Sequence, residues 1–395
     1  MSVEFDGGDL RARSLTPADP SPLNGTASLQ ADAPANPFSE PKIAAFLNAL
    51  VEAIEGEVDA TTGTRARYST DAGLYRIPPL ALVFPASVDD VLTTLDLARE
   101  YEIPVTSRGG GTSCAGNAIG PGIVLDFTRH LNKVVSIDPQ ARTAVVEPGC
   151  IEASLQEAAA PFGLRFGPDP SSQNRASIGG MVGNNACGPH ATAWGRTADN
   201  IVALDCVDGL GRRFTAKLEH DPSLPEVPGL AELIDSNLGI IRTELGTFGR
   251  QVSGYSLEHL TPEKHRNLAA MLVGTEGTLV TILQITVRLV DLPRAPVLVA
   301  LGYPDMIAAA DYVPTVLEHH PLAVEGLDSR LVDVVRRHNG PGAVPELPAG
   351  QGWMMCEVGG TDLEDSLTRA RGLVASAHTD AAAIYPPGAD ALRLW

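Results

Sequence analysis

The chain has 395 residues, 44% hydrophobic and 19% charged, with 39 glycines and 31 prolines, enough for roughly two or three domains with ample core. Its formal net charge of −19 argues against nonspecific binding to nucleic acid or to an anionic membrane. No run of about 18 uncharged apolar residues exists to cross a bilayer.

The N-terminus lacks the basic and apolar regions of a signal peptide, so the Asn24-Gly25-Thr26 sequon carries no weight. Cys114, Cys150, Cys187, Cys206 and Cys356 show no C-x-x-C spacing and read as reduced thiols rather than a disulfide framework. Together these place the protein in the cytoplasm, with peripheral attachment to a membrane left open.

Residues 1–37, rich in Pro, Ala, Ser and Asp without periodicity, read as a mobile leader. From Pro41 to Glu57, apolar residues at Ile43, Phe46, Leu47, Leu50, Val51 and Ile54 predict a helix. Leu80 to Phe84 is a strand. It leads to Ser87, an N-cap with Asp90 three residues on, and to a helix burying Val88, Val91, Leu92, Leu95 and Ala98. Pro104 to Ser107 is the next strand. Ile123 to Phe127, Val134 to Ile137 and Thr143 to Glu147 are strands, Glu152 to Ala160 is helical, and Leu204 to Thr215 is a hairpin turning at Asp208-Gly209. After Val290 strand and helix alternate: strands at Val297–Leu301, Ala323–Leu327 and Trp353–Val358, helices at Met306–Leu317, Ser329–His338 and Leu363–Ala375. This pattern predicts a ferredoxin-like α+β unit, with no closing strand legible before Trp395.

The strand at Pro104 runs into Arg108-Gly109-Gly110-Gly111-Thr112-Ser113. Without Cβ atoms, successive backbone N–H groups can turn inward as an anion-binding nest, suited to a diphosphate, with Arg108 beside it. Read alone, the run also fits a surface turn. Two further small-residue clusters follow, Ser177-Ile178-Gly179-Gly180 continuing to Asn184-Asn185 and Gly188, and Gly274-Thr275-Glu276-Gly277-Thr278. Three clusters beside apolar stretches suggest one long cofactor threaded past several loops. Gly179-Gly180 also fits close helix–sheet packing, Asn184 and Asn185 fit turn or cap residues, and Glu276 fits a solvated turn. No G-x-G-x-x-G, P-loop, G-x-S-x-G or H-E-x-x-H motif is present. His319-His320 beside Glu318 has poor spacing for metal ligands, and no metal site is assigned.

The ordered set Arg108–Thr112, Pro168-Asp169-Pro170-Ser171-Ser172, Ile178-Gly179-Gly180, Asn184-Asn185 and Gly274–Thr278 resembles the flavin-binding domain of the vanillyl-alcohol oxidase and p-cresol methylhydroxylase superfamily. Within it, the chain is most similar to the branch holding the glycolate oxidase flavoprotein subunit, D-lactate dehydrogenase and D-2-hydroxyglutarate dehydrogenase. Ser253 to Leu260 resembles large members that append an iron–sulfur region. The resemblance implies an α+β architecture: a two-subdomain FAD-binding domain over residues 38–292, then a partial ferredoxin-like cap over 293–395.

It further implies that Arg108 to Ser113, continued by Gly116 and Asn117, bind the FAD diphosphate. Pro168, Asp169, Ser171, Ser177, Gly179 and Gly180 would line the ribityl chain and ring, with Asn184, Asn185 and Gly188 on the same wall. Glu276 and Gly277 would return from the far side. Some relatives attach the flavin through a histidine in the Gly-rich loop; Thr112 and Ser113 stand there, which implies noncovalent FAD.

The reaction implied is oxidation of a 2-hydroxy acid by hydride transfer from Cα to flavin N5, with electrons passing to a quinone, an electron-transfer protein or an iron–sulfur domain. His190, Arg196, Tyr255 and His259 are candidates for the substrate pocket, and no catalytic base is assigned. The late His-x-Gly-Asp-Gly-x-x-His segment expected in this branch is missing from the sequence. Two rival readings therefore stand beside the first: an alcohol or sugar oxidase of the same superfamily, and a noncatalytic flavin-binding module.

Overall fold

A computed structural model describes residues 40–218, 223–249 and 253–395. The leader and the Asn24 sequon lie outside the described residues. The strands fall into three sheets.

The first sheet holds β1 (Glu57–Asp59), β2 (Ala81–Phe84), β3 (Val105–Arg108) and β4 (Ile123–Asp126) in the order β1-β2-β4-β3. β2, β3 and β4 are parallel, and β1 joins antiparallel at the edge. β2 and β4 are buried along their whole length, as expected when both faces of a parallel sheet are covered. The helix Glu40–Ala53 covers one face through Phe46 and Leu50. It stops short of the expected Glu57, because the buried carboxylate of Asp90 accepts hydrogen bonds from the N–H groups of Glu55, Gly56 and Ala86 at 3.0, 2.9 and 2.8 Å. Those bonds redirect the chain into β1. Ser87 caps the helix Val88–Glu100, its Oγ accepting from Asp90 N at 3.1 Å.

The second sheet contains β5 (Val134–Asp138), β6 (Thr143–Val146), β7 (Leu164–Phe166), β8 (Ile201–Asp208), β9 (Arg213–Lys217) and β10 (Val280–Asp291). The twelve-residue β10 organises it, pairing antiparallel with β8 along one side and with β6, then β7, along the other. Its inward residues Ile285, Val287 and Leu289 pack with Phe166, Leu204, Leu155 and Ile178. Leu283 of β10 and Val207 of β8 pack instead into the core of the first sheet, so the two sheets meet where β10 begins.

The third sheet comprises β11 (Arg294–Tyr303), β12 (Ala323–Asp328), β13 (Gly352–Gly360) and β14 (Ala382–Tyr385), antiparallel in the order β12-β13-β11-β14. This is the ferredoxin-like order, and it corrects the sequence reading in one respect. A fourth strand is present: β14 pairs with β11 from Leu298↔Tyr385 to Leu301↔Ala382. Its sequence, Ala-Ala-Ile-Tyr, is too short and alanine-rich to register as a strand. The helix expected over Met306–Leu317 is two, Met306–Asp311 and Val313–Leu317. Pro314 cannot donate to a carbonyl one turn back, so the helix restarts there. The helix Leu363–Ser376 buries Ala370 and Leu373 against β11 and β13.

Candidate functional site

A cavity of about 480 Å³ opens between the first and second sheets. Its first wall is the loop leaving the C-terminal end of β3. Gly109 and Gly110 lie so close to the opposite wall that a Cβ would overlap Ser177 Oγ at the first and the Arg175 carbonyl at the second. Gly111 has φ +64°, a left-handed conformation that glycine adopts without strain. Among the described residues, the N–H groups of Gly110, Gly111, Thr112 and Ser113 have no partner in the protein, and all four residues line the cavity. Arg108 stiffens this loop. Its Nη1 donates to the carbonyls of Thr70 and Ala118 at 3.0 and 3.1 Å, and its guanidinium lies 4.9 Å from the Tyr68 ring centre. Burial pulls its pKa below the ordinary arginine value.

The second wall is the helix Ile178–Asn184, capped by Ser177, whose Oγ accepts from Gly180 N at 3.1 Å. Gly179 backs onto Pro148, its N–H bonded to the Pro148 carbonyl at 2.8 Å. Gly180, Gly183 and Asn184 line the cavity, and a Cβ at Gly183 would meet nothing within 4 Å. Asn184 Oδ1 accepts from Asn117 Nδ2 at 2.9 Å, tying the two walls together. Asn117 Oδ1 is buried without a partner. The loop Val273–Thr278 closes the third side: Gly274 N and Glu276 N donate to the carbonyls of Val182 and Gly183 at 2.8 and 2.9 Å. Glu276, at φ +55°, and Gly277, at φ +73°, line the cavity. Phe127, Met181, Leu272, Val280 and Ile282 supply an apolar floor. A second recess of about 480 Å³ shares Gly277 and Val280 with it and is bounded by Pro104, Val105, Val207 and Asp208.

The residues read along the cofactor path divide. Arg108 to Ser113, Asn117, Ser177, Gly179, Gly180, Asn184, Glu276 and Gly277 line the cavity. Gly116 does not; its N–H donates to Asp71 Oδ2 at 3.0 Å. Asn185 faces the other way, a buried left-handed cap at φ +47° whose Oδ1 accepts from Ala198 N at 3.0 Å. In the Pro168–Ser172 run the register is displaced: Pro170 and Ser172 line the cavity, whereas Pro168 is buried outside it and Ser171 is exposed. Gly188 packs against the backbone of Asp169. Asp169 accepts from Arg165 Nη2 at 3.2 Å and binds His190 Nδ1. Sequence reading missed the apolar floor, which carries no motif; Gly183, part of the second small-residue cluster, lines the cavity as well.

The four substrate-pocket candidates are not brought together. His190 is buried between Asp169 and Glu357. Arg196 opens the turn Thr197–Asn200, its N–H donating to Asp199 Oδ2 at 2.8 Å. His259 lies behind it, its pKa lowered by burial. Tyr255 is exposed and does not line the cavity, its hydroxyl 2.8 Å from Thr278 Oγ1. His319 Nε2 pairs with Ser376 Oγ at 2.6 Å, and no group of three or more His, Cys, Asp or Glu side chains is arranged for a metal among the described residues.

Residues 79–217 match a family model described as an FAD binding domain. This stretch is an FAD-binding domain. The chain is 33% identical over 303 residues to D-2-hydroxyglutarate dehydrogenase of Pseudomonas putida, covering 73% of this chain and 30% of that protein. It is 28% identical over 281 residues to glycolate oxidase subunit GlcD of Bacillus subtilis, covering 70% and 52%. It is 30% identical over 262 residues to D-lactate dehydrogenase of Archaeoglobus fulgidus, covering 66% and 50%. The matched segment thus spans about a third to a half of these relatives. In fold, the chain superposes on alkyldihydroxyacetonephosphate synthase with a TM-score of 0.64 at 16% identity, covering 90% of this chain and 62% of that one. The three relatives are those to which the sequence motifs were likened, D-2-hydroxyglutarate dehydrogenase, the glycolate oxidase subunit and D-lactate dehydrogenase. No helix among the described residues is long and apolar enough to cross a membrane.

Proposed function

We propose that residues 38–292 hold FAD noncovalently, and that residues 293–395 cap it to form the flavin-binding portion of a 2-hydroxy-acid dehydrogenase. One observation carries the cofactor assignment. Four successive residues, Gly110 to Ser113, line the cavity, and their N–H groups have no partner among the described residues. Such a nest suits a diphosphate, because each N–H gains a charge-assisted hydrogen bond that nothing in the protein competes for. The orphaned Oδ1 of Asn117 supplies an acceptor beside it, and the Cβ-free surface at Gly180 and Gly183 leaves room along the second wall. The adjoining recess past Gly277 suits an elongated ligand. Among the described residues no histidine lines the cavity, which supports a noncovalent cofactor.

When bound, FAD supplies a hydride acceptor for the substrate Cα. The protein's part is to hold the diphosphate with the Gly110–Ser113 amides and to exclude water with the floor of Phe127, Met181 and Leu272. The names of the relatives support a 2-hydroxy acid of the D-lactate, glycolate or D-2-hydroxyglutarate class. We place the protein in the cytoplasm, passing electrons to a quinone, an electron-transfer protein or an iron–sulfur domain. Anaerobic addition of these three acids to the flavin-loaded protein should bleach its visible absorbance. Bleaching by polyols or phenols alone would make it an alcohol or sugar oxidase. A flavin that no donor reduces would make this chain a binding module.

A further inference from the structure

His190 belongs to neither wall of the cavity, yet its side chain is 5% exposed and engaged at both ring nitrogens. Nδ1 meets Asp169 Oδ2, and Nε2 lies 2.6 Å from Glu357 Oε2. Asp169 sits in the loop after β7, one residue before the cavity-lining Pro170. Glu357 comes from β13, one of the two inner strands of the C-terminal sheet. Trp194 stacks on the imidazole with ring centres 4.9 Å apart, and Trp395 meets it edge-on at 5.9 Å. The helix carrying Trp194 packs against β12. Two carboxylates from opposite units can both be satisfied only if the ring donates at both nitrogens, which requires the imidazolium. A neutral ring donates at one nitrogen and turns a lone pair toward the other carboxylate.

We propose that His190 is a positioning residue: as an imidazolium it latches the cap, through Glu357, onto the Asp169 loop and thereby fixes the cavity wall at Pro170 and Ser172. The proposal rests on the flavin-binding reading only for what that wall contacts; the latch itself stands on the three side chains. The titratable and charged groups around it are Asp169 and Glu357 directly, Arg165 at 3.2 Å from Asp169, and the buried acid Glu152, which is coupled to Asp169 through space and holds its proton up to about pH 8. Burial lowers the histidine's pKa, but the two hydrogen-bonded carboxylates outweigh it and raise the value to about 9. The latch is therefore closed at neutral pH and opens as the pH rises through that value. Glu357 is the freer of the two carboxylates, at 15% side-chain exposure against 9% for Asp169, so release occurs on the cap side.

The indoles report this directly, since an imidazolium stacked on tryptophan quenches its emission and a neutral imidazole does so far less. The experiment follows tryptophan emission of the whole chain from pH 6 to 10, together with limited proteolysis of the Asp291–Arg294 connection between β10 and β11. In the wild-type protein we expect emission to rise and cleavage to appear in one transition near pH 9. In Glu357→Gln the transition should move down by about one unit or more, the scale of one lost close charge. In His190→Gln the emission step should vanish and cleavage should be constant across the range. A wild-type protein with flat emission and flat cleavage, or a Glu357→Gln transition at the wild-type pH, would overturn the latch. Flavin absorbance, read on the same samples, separates the two claims. A protein that never binds flavin but shows the shifted transition retains the latch and loses the cofactor assignment.

Discussion

Asn117 and Asn184 join the two walls of the cavity: the Nδ2 of the first donates to the Oδ1 of the second at 2.9 Å, while Asn184 Nδ2 donates to the Gly180 carbonyl at 3.0 Å. This chain of bonds fixes both amide orientations and leaves Asn117 Oδ1 as a buried acceptor with nothing to accept from. A buried acceptor without a donor costs about 1–3 kcal/mol. The cofactor is the natural source of the missing donor.

Replacing Asn117 by Leu should therefore weaken flavin binding about tenfold or more, equivalent to about 1.4 kcal/mol. Thermal stability of the flavin-free protein should change little, since loss of the bond to Asn184 is offset by removal of the orphan. Flavin titration of the apoprotein by fluorescence checks this, and unchanged affinity would count against a donor from the cofactor.

Gly110 and Gly183 provide a contrast. A Cβ at Gly110 collides with the Arg175 carbonyl, so Gly110→Val should lower the apoprotein melting temperature and abolish flavin retention. A Cβ at Gly183 meets nothing within 4 Å, yet that residue lines the cavity. Gly183→Val should leave the fold of the apoprotein intact and still reduce flavin occupancy, because it intrudes only on the ligand. Equal flavin content in wild type and Gly183→Val would show that the cofactor does not lie along this helix.

Glu152 should give the protein an alkaline weakness. Its side chain is fully buried, one oxygen accepts from Gln156 Nε2 at 2.9 Å, and the other has no partner. Burial raises its pKa to about 8, from a model-compound value of 4.5. The folded state thus holds this proton where the unfolded chain has lost it. The resulting stability is complete below pH 4.5 and falls by about 1.4 kcal/mol per unit as pH rises toward 8. Glu152→Gln removes the effect. The melting temperatures of variant and wild type should diverge between pH 5 and pH 9, with the variant increasingly the more stable. Parallel curves would contradict a buried neutral acid.

Flavin should leave the polypeptide on acid or heat precipitation, because Thr112 and Ser113, and no histidine, stand in the Gly-rich loop. Yellow colour remaining in the washed precipitate would refute the noncovalent assignment.

Much of this was legible in the residues. Hydrophobic runs marked β2 and β4 because both faces of those strands are buried, and Ser87 announced its helix by its own chemistry. The Gly-rich loops were visible because close backbone approach leaves only glycine at Gly109 and Gly110. What escaped was whatever depends on distant partners. Ser177–Asn184 read as a loop because its glycines are poor helix formers, yet Ser177 caps it and the cavity needs its small face. The position of Asp169 could not be read, since nothing local says that its carboxylate turns toward His190 and Arg165 instead of the cavity. β14 was invisible because four short residues become a strand only when β11 offers an edge.

The claim that the Gly110–Ser113 amides hold a diphosphate is tested most directly by comparing FAD with riboflavin, which carries the same ring system without the diphosphate. Apoprotein titrated with each should bind FAD at least about a hundredfold more tightly, a difference of about 2.7 kcal/mol that one or two charge-assisted hydrogen bonds supply. Gly110→Val should erase that preference. Equal affinity for FAD and riboflavin in the wild-type protein would contradict the assignment of the nest.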